Sequence, residues 1–265
     1  MKKRNIRAIA LSVLFSSIGF VLSFILKKLL NIDLSKLEMS IIAFIITALC
    51  ALILFPKVFK IPFGRVSIKD FIYKVGLYPS KKIYGFILIG ILAAVTTISA
   101  MLIGSILTGK YVFDSSSINL GHAIFSLTPG IWEEVFYRGI IMIVLLRMTS
   151  SFRKAAIIQV VIFALAHIKG FDFLSFLDVF SVLVIAIGFT YMAYKTKSLI
   201  PGIVFHYLHD TFLFSVQIPG GDYTGFKDNA LFYSALWISI GLVIVVTKHL
   251  SEKYQIVNKF NLYYE

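Results

Sequence analysis

Hydrophobic residues run in long stretches along most of the chain, and short polar or basic connections separate these stretches. Runs of about 18 or more apolar residues are typical of helices that cross a membrane. The pattern predicts an all-α fold, a polytopic membrane helix bundle of about eight transmembrane helices. The predicted spans cover about residues 6–26, 39–55, 83–107, 118–148, 155–168, 174–194, 199–216 and 230–247.

Two of these stretches are irregular. The fourth, 118–148, is too long for one simple span, and Pro129 and Gly130 divide it into a short leading segment and a following helix. The second ends at Pro56, and the basic, amphipathic connection 56–82 is expected to lie along the membrane surface. No second domain or repeat is visible, so the prediction is a single membrane domain. It covers 1–265, with its motif-bearing core at about 118–216.

Basic residues dominate the charge of the chain, which has 26 Lys and Arg against 13 Asp and Glu and a formal net charge of +13. They stand in the connections between the apolar stretches, and this distribution argues against a nucleic-acid partner. Nineteen lie in connections on the side of the amino terminus and six on the other side. Since cytoplasmic loops carry the excess of Lys and Arg, both termini are predicted to be cytoplasmic. Membrane lipids are the expected neighbours and the plasma membrane is the expected location.

Three charged residues, Glu133, Glu134 and Arg138, stand within six positions of the fourth apolar stretch. A charge at bilayer depth costs about 2.5–3.5 kcal/mol on insertion scales, so three together need a reason. Glu134 and Arg138 are four residues apart, which on a helix puts them on one face within pairing distance. Glu133 lies on the arc that it shares with Tyr137 and is expected to face a cavity. A purely structural ion pair between helices is the alternative.

Imidazole and carboxylate groups occur on two further spans, at His167 near the end of the fifth and at His206 and Asp210 in the seventh. His206 and Asp210 are four residues apart, so the carboxylate can orient or charge the imidazole. In lipid such groups must find one another or water, so the three clusters are expected to meet inside the bundle. Together they suit activation of water and stabilisation of a tetrahedral oxyanion. The remaining histidines, His122, His209 and His249, are interpreted as packing residues.

Three short motifs therefore stand in a fixed order: Glu-Glu-x-x-x-Arg at 133–138, Phe-x-x-x-His at 163–167 and His-x-x-x-Asp at 206–210. In this order and spacing they resemble the motifs of the CAAX prenyl endopeptidase type II family, also called CPBP or Abi-type intramembrane proteases. The resemblance covers about residues 120–215. Members of that family are multi-helix membrane proteases that act on prenylated carboxy-terminal peptides or on bacteriocin and related peptides. The resemblance implies a peptide or lipidated-peptide substrate and an active site buried in the bundle.

The resemblance also implies roles for single residues. The catalytic residues that it indicates are Glu133, His167, His206, Asp210, Glu134 and Arg138. The first two would activate water, the next two would stabilise the oxyanion, and the last two would brace the site. A second interpretation makes the site metal-dependent, with His167, His206 and Glu133 as ligands of a zinc ion that keeps an open position. His167 and His206 do not stand in the compact His-Glu-x-x-His motif that many zinc proteases share. The sequence therefore leaves both mechanisms open.

Three functions are compatible with such a site. The leading hypothesis is an intramembrane endopeptidase. The second is a non-catalytic membrane scaffold or immunity protein of the same fold, although such a scaffold is expected to have lost a motif residue and all are present. The third is a proton-coupled transporter, since carboxylates and histidines also form proton relays. A transporter predicts internal repeats, and none is visible in the sequence.

The predicted topology can be tested by labelling single cysteines at Lys69, Lys195 and Asp222 with a reagent that does not cross membranes. The only native cysteine, Cys50, is first replaced by serine. The charge bias predicts that positions 69 and 195 react from the cytoplasmic side and position 222 from the other side. Labelling of Lys69→Cys and Asp222→Cys from the same side would contradict the eight-span arrangement.

Overall fold

The computed structural model describes residues 2–16, 36–64, 67–78, 80–107, 120–168, 170–215 and 226–257, with a few single positions between 17 and 35. Within these ranges the fold is all-α and contains no strand, as the apolar pattern predicted. The elements are α1 (Lys2–Ser16), α2 (Lys36–Phe63), α3 (Ile68–Lys74), α4 (Ile83–Leu107), α5 (Leu120–Thr128), the π-helical segment Pro129–Ile141, α6 (Met142–Thr149), α7 (Phe152–Leu165), α8 (Phe173–Thr196), α9 (Ile200–Ser215) and α10 (Phe226–Lys253).

Three helices among the described residues are long and apolar enough to cross a membrane: Ile83–Leu107, Ser175–Thr196 and Leu231–Lys253. Their outer faces carry exposed aliphatic side chains, such as Val95 at 53% and Leu242 at 52% exposure, which suit contact with lipid. The other predicted spans overlap helices of the bundle, and their crossing of a membrane stays a prediction. Most of 17–26, the ends 118–119 and 216, and Asp222 lie outside the described residues.

Two clusters of buried apolar side chains form the interior. The first packs α3, α6 and α7 around the π-helical segment and includes Phe71 and Ile140. The second packs α4, α8, α9 and α10 together and includes Phe86 and Phe205. Side chains of α8 belong to both clusters, so α8 joins the two halves. The π-helical segment and α9 face each other where the halves meet.

Polar contacts at one end of the bundle join the start of α4 and the end of α8 to the end of α10. Lys195 Nζ lies 2.5 Å from Glu252 Oε1, and Lys82 Nζ donates to the carbonyl oxygen of Tyr254 at 3.5 Å. Because Lys and Arg concentrate there, we call it the basic end, and we call the other the opposite end.

The connection after the second predicted span differs from the prediction. Helix α2 continues through Pro56 to Phe63, so the expectation that it ends at Pro56 is wrong. A proline inside a helix removes one backbone hydrogen bond. Burial of Val58 in the first core cluster, at 2% exposure, favours the longer helix. The first part of the segment that was predicted to lie along the membrane surface thus belongs to α2. The short α3 follows in the same segment and packs Phe71 into the first core cluster.

From Leu120 onward the fourth predicted span is helical, and Pro129 marks a change of helix type. From Pro129 to Ile141 the backbone is π-helical, with hydrogen bonds that reach one residue further than in an α-helix. Pro129 has no N–H to donate, so it is tolerated at the first position of the new segment. The expectation of an α-helix for this stretch is therefore wrong in helix type. Short π-helical segments are frequent at functional sites.

Candidate active site

The π-helical segment and α9 approach closely, and their polar side chains meet between them. A Cβ atom at Gly130 would lie only 3.2 Å from the backbone of Tyr207, so a residue without a side chain permits this approach. The six residues that the sequence singled out all lie at this junction. Each has a charged or imidazole atom within 4 Å of another member of the set.

Glu134 is the central acceptor of the group. Its Oε1 atom accepts hydrogen bonds from Arg138 Nη1 at 2.9 Å and from His206 Nδ1 at 3.1 Å. Glu134 and Arg138 are completely buried, and His206 is 6% exposed. The ion pair predicted from the four-residue spacing is therefore formed, and the same carboxylate also connects the π-helical segment to α9. A buried charge requires such partners because water does not solvate it.

Aromatic rings enclose the guanidinium of Arg138. Its Cζ atom lies 4.0 Å from the ring centroid of Phe163 on α7 and 4.7 Å from that of Phe189 on α8. Cation–π contacts of this kind are strongest where water is excluded. Phe163 belongs to a motif, whereas Phe189 was missed. An aromatic residue on an apolar helix has no sequence signal that separates it from ordinary packing.

No role was predicted for Gly202 on α9, although it stands in the segment Pro-Gly-Ile-Val-Phe-His that resembles the family. A Cβ atom there would lie 2.8 Å from Glu134 Oε2, so only glycine leaves room for the carboxylate in its present position. The available signal was the pair Pro201 and Gly202 close to the start of a predicted helix. A glycine near a helix start is also explained by capping, so the sequence did not single it out.

Glu133 faces a different environment from its neighbour. His167 Nδ1 donates to the carbonyl oxygen of Phe163 at 2.8 Å, so in the neutral form of the ring Nε2 carries the lone pair. That nitrogen lies 3.7 Å from Glu133 Oε2, and His206 Nε2 lies 3.9 Å from the same oxygen. The Glu133 side chain is 14% exposed against 1% for Glu134. Of the two adjacent glutamates, Glu133 thus lies in the wall of a cavity and Glu134 lies in a buried ion pair.

Asp210 contacts two histidines. Its Oδ2 atom lies 3.5 Å from His206 Nε2, and its Oδ1 atom lies 3.2 Å from His209 Nδ1. The interpretation of His209 as a packing residue is incomplete, because its buried ring also contacts Asp210 and lines the cavity. A four-residue spacing on one helical face indicates such a contact, whereas His209 is the direct neighbour of Asp210 in the chain.

A cavity of about 610 Å³ adjoins these groups. Aromatic and aliphatic side chains form most of its wall, and Glu133, His167, His206 and Asp210 form a polar patch. The volume lies within the range of about 300–1,000 Å³ that is usual for binding pockets. Asp178 also lines the cavity, where it accepts a hydrogen bond from Tyr233 at 2.5 Å.

The donors predicted for zinc lie slightly too far apart for that ion. Ligand atoms about 2.0–2.2 Å from a tetrahedral zinc ion lie about 3.3–3.6 Å from one another. Here Glu133 Oε2 lies 3.7 Å from His167 Nε2 and 3.9 Å from His206 Nε2. In the part of the chain that the structure describes, no group of three or more His, Cys, Asp or Glu is arranged to hold a metal ion. In these positions the three donors do not form a compact tetrahedral site, and zinc binding stays a prediction.

The fold and the site define a helical membrane protein with a cluster of carboxylates and imidazoles beside a cavity in the bundle. The sequence model of the family described as type II CAAX prenyl endopeptidase Rce1-like matches residues 115–212. The match covers less than half of the chain, and in that part it confirms the resemblance based on the three motifs. A search of curated proteins and a search of solved structures each gave no match.

The burial of the Glu134–Arg138 pair generates a prediction about stability. Glu134→Ala removes the acceptor of both Arg138 and His206 and leaves the guanidinium in an apolar environment. Breaking a buried pair in this way costs about 3–5 kcal/mol. That is a large fraction of the net stability of a typical domain, so the folded yield and the melting temperature in detergent are both expected to fall.

Glu252→Ala is the matched control, because Glu252 is also a glutamate paired with a cation but its side chain is 52% exposed. Exposed ion pairs contribute little, so its melting temperature should stay close to that of the parent. Equal melting temperatures for Glu134→Ala and Glu252→Ala would refute a structural role of Glu134.

Proposed function

We propose that the protein is an intramembrane endopeptidase that hydrolyses a peptide bond of a membrane-associated peptide. The substrate is a CAAX-type peptide or a bacteriocin- or pheromone-type peptide, and the plasma membrane is the proposed location. The observation that carries the proposal is the pair formed by Glu133 Oε2 and His167 Nε2, which face each other at 3.7 Å beside a cavity. Two acceptor atoms that face each other beside a cavity can both accept from a single water molecule once a small rotation of either side chain admits it.

The proposed reaction is a general base mechanism. Glu133 takes a proton from the water as the water oxygen attacks the peptide carbonyl, and His167 orients the water through Nε2. The same proton then passes to the leaving amine when the tetrahedral intermediate collapses. His167 suits this role because its Nδ1–H donates to the Phe163 carbonyl oxygen, which fixes both the tautomer and the direction of the ring.

His206 is the proposed stabiliser of the oxyanion. Its Nδ1 faces Glu134 and its Nε2 faces Asp210, at 3.1 and 3.5 Å. A carboxylate oxygen only accepts hydrogen bonds, so both nitrogens need a hydrogen, and an imidazole with two N–H groups carries a positive charge. A fixed cation beside the cavity stabilises negative charge that develops on the carbonyl oxygen. Glu134 and Arg138 would act indirectly, by holding the ring of His206 in place.

Replacing the proposed base should separate catalysis from folding. Glu133→Gln keeps the size of the side chain and removes its charge from a site that is only 14% exposed, so it should not destabilise the protein. The melting temperature in detergent is expected to match that of the parent. The rate of peptide cleavage is expected to fall by about 100-fold or more.

The control for that experiment is Glu252→Gln, an exposed position at the basic end, which should keep both the melting temperature and the rate. Turnover close to the parental rate in Glu133→Gln would refute the proposed mechanism, whatever the melting curves show.

A zinc-assisted form of the reaction is the second mechanism, with His167, His206 and Glu133 as the three ligands. When bound, zinc would polarise the carbonyl and activate water at its open position. Two features favour the metal-free mechanism: the distances between these donors, and the contact of His206 Nε2 with Asp210, which calls for a hydrogen on the nitrogen that would have to bind the metal.

Treatment of the purified protein with a strong chelator distinguishes the two mechanisms. The direct mechanism predicts that cleavage continues at an unchanged rate after the chelator and the released ions are removed. Loss of activity that returns on addition of zinc, and not of magnesium, would establish the metal-assisted form.

Reconstitution in sealed liposomes compares the protease with the scaffold and the proton-coupled transporter. Cleavage of membrane peptides, detected by mass spectrometry and lost in Glu133→Gln, supports the protease. A proton flux without peptide cleavage would support a transporter, and neither activity would support a scaffold.

A further inference from the structure

The cavity is accessible at the opposite end of the bundle. Two residues that line it there are substantially exposed, Ile168 at 44% and Leu213 at 38%. Beside them the hydrogen bond between Tyr233 and Asp178 joins the starts of α10 and α8. Within the described part of the chain, the cavity is thus reached where α8 and α10 begin and where α7 and α9 end.

Packed side chains close the cavity towards the basic end. Tyr137 and Phe189 line its innermost part and are each 2% exposed. Behind them, Ile141 and Met192 are completely buried, at 0% exposure. From Phe189 to Lys195 the helix rises about 9 Å. Among the described residues, these buried side chains separate the cavity from the basic end.

The limits of the cavity along each helix agree with this direction. Among the residues that line the cavity, none lies after Phe189 in α8, none before His206 in α9 and none after Leu236 in α10. Lys195 in α8 and both Lys248 and Lys253 in α10 lie beyond these limits at the basic end, whereas Lys227 lies in the first turn of α10 at the opposite end. No Lys or Arg is among the described residues that line the cavity.

The basic end corresponds to the cytoplasmic side, because an excess of Lys and Arg marks cytoplasmic connections. We infer that the active site is entered from the non-cytoplasmic side, so that its substrate is a peptide, or a segment of a membrane protein, presented at the outer surface of the membrane. The inference rests on the proposed function and adds to it the side of access. A cytoplasmic peptide would have to displace the packed layer formed by Ile141 and Met192.

The side of access can be measured with single cysteines in the full-length protein carrying Cys50→Ser. Leu213→Cys and Ile168→Cys report on the accessible end of the cavity, and the exposed Lys69→Cys on α3 reports on the basic end. Each variant is treated with a maleimide that does not cross membranes, once in intact cells and once in inside-out vesicles.

The two cavity cysteines are expected to react in intact cells, with a ratio of outside to inside labelling above about ten, and Lys69→Cys is expected to give a ratio below about one tenth. Cavity cysteines that react only in inside-out vesicles, or from the same side as Lys69→Cys, overturn the inference. Failure of both cavity cysteines to react in intact cells also overturns it.

This measurement does not depend on catalysis, so it separates the side of access from the proposed function. The same labelling pattern is expected when each cysteine is combined with Glu133→Gln. A protein that fails to cleave peptides but labels as described would leave the direction of access intact. One that cleaves peptides but labels its cavity only from the inside would keep the protease and lose the inference.

Discussion

The buried carboxylate of Glu134 sets the geometry of the whole site. It lies in an apolar bundle where an ionised group is stable only when it is neutralised and hydrogen-bonded. Arg138 and His206 provide this at 2.9 and 3.1 Å. The ion pair depends in turn on the residues that surround it. Arg138 is enclosed by two phenylalanine rings from α7 and α8, and the absence of a side chain at Gly202 leaves room for the carboxylate. One charge therefore connects four segments of the chain.

The same contact links stability to the proposed chemistry through His206. Because Glu134 occupies Nδ1, the other nitrogen is directed towards Asp210 and, further away, Glu133. A flexible imidazole would have to be ordered during the reaction, whereas one held between two carboxylates is already oriented. The neighbouring Glu133 is excluded from the ion pair and turned to the cavity wall. Two adjacent residues of the same type can thus take a structural and a chemical role.

Sequence reasoning identified the groups that are expensive to bury. Charges and imidazoles on apolar helices are rare, so the Glu134–Arg138 pair and the convergence of His167 and His206 on Glu133 could be anticipated. The all-α fold followed from the length of the apolar stretches. Helix type and packing could not be anticipated in the same way. The π-helical segment from Pro129 and the continuation of α2 through Pro56 depend on tertiary contacts, which local signals do not record.

The one-sided cavity also bears on the choice between hydrolysis and proton transport. A proton relay across a membrane needs polar groups or water on both sides of the central site. Here Glu133 and Asp210 adjoin the cavity, but Ile141 and Met192 are completely buried behind it on the way to the basic end. In the described part of the chain, water can therefore reach the carboxylates from the cavity, while these two side chains separate them from the basic end. Hydrolysis inside a membrane requires this combination, since the reaction consumes water while the membrane has to stay closed to protons.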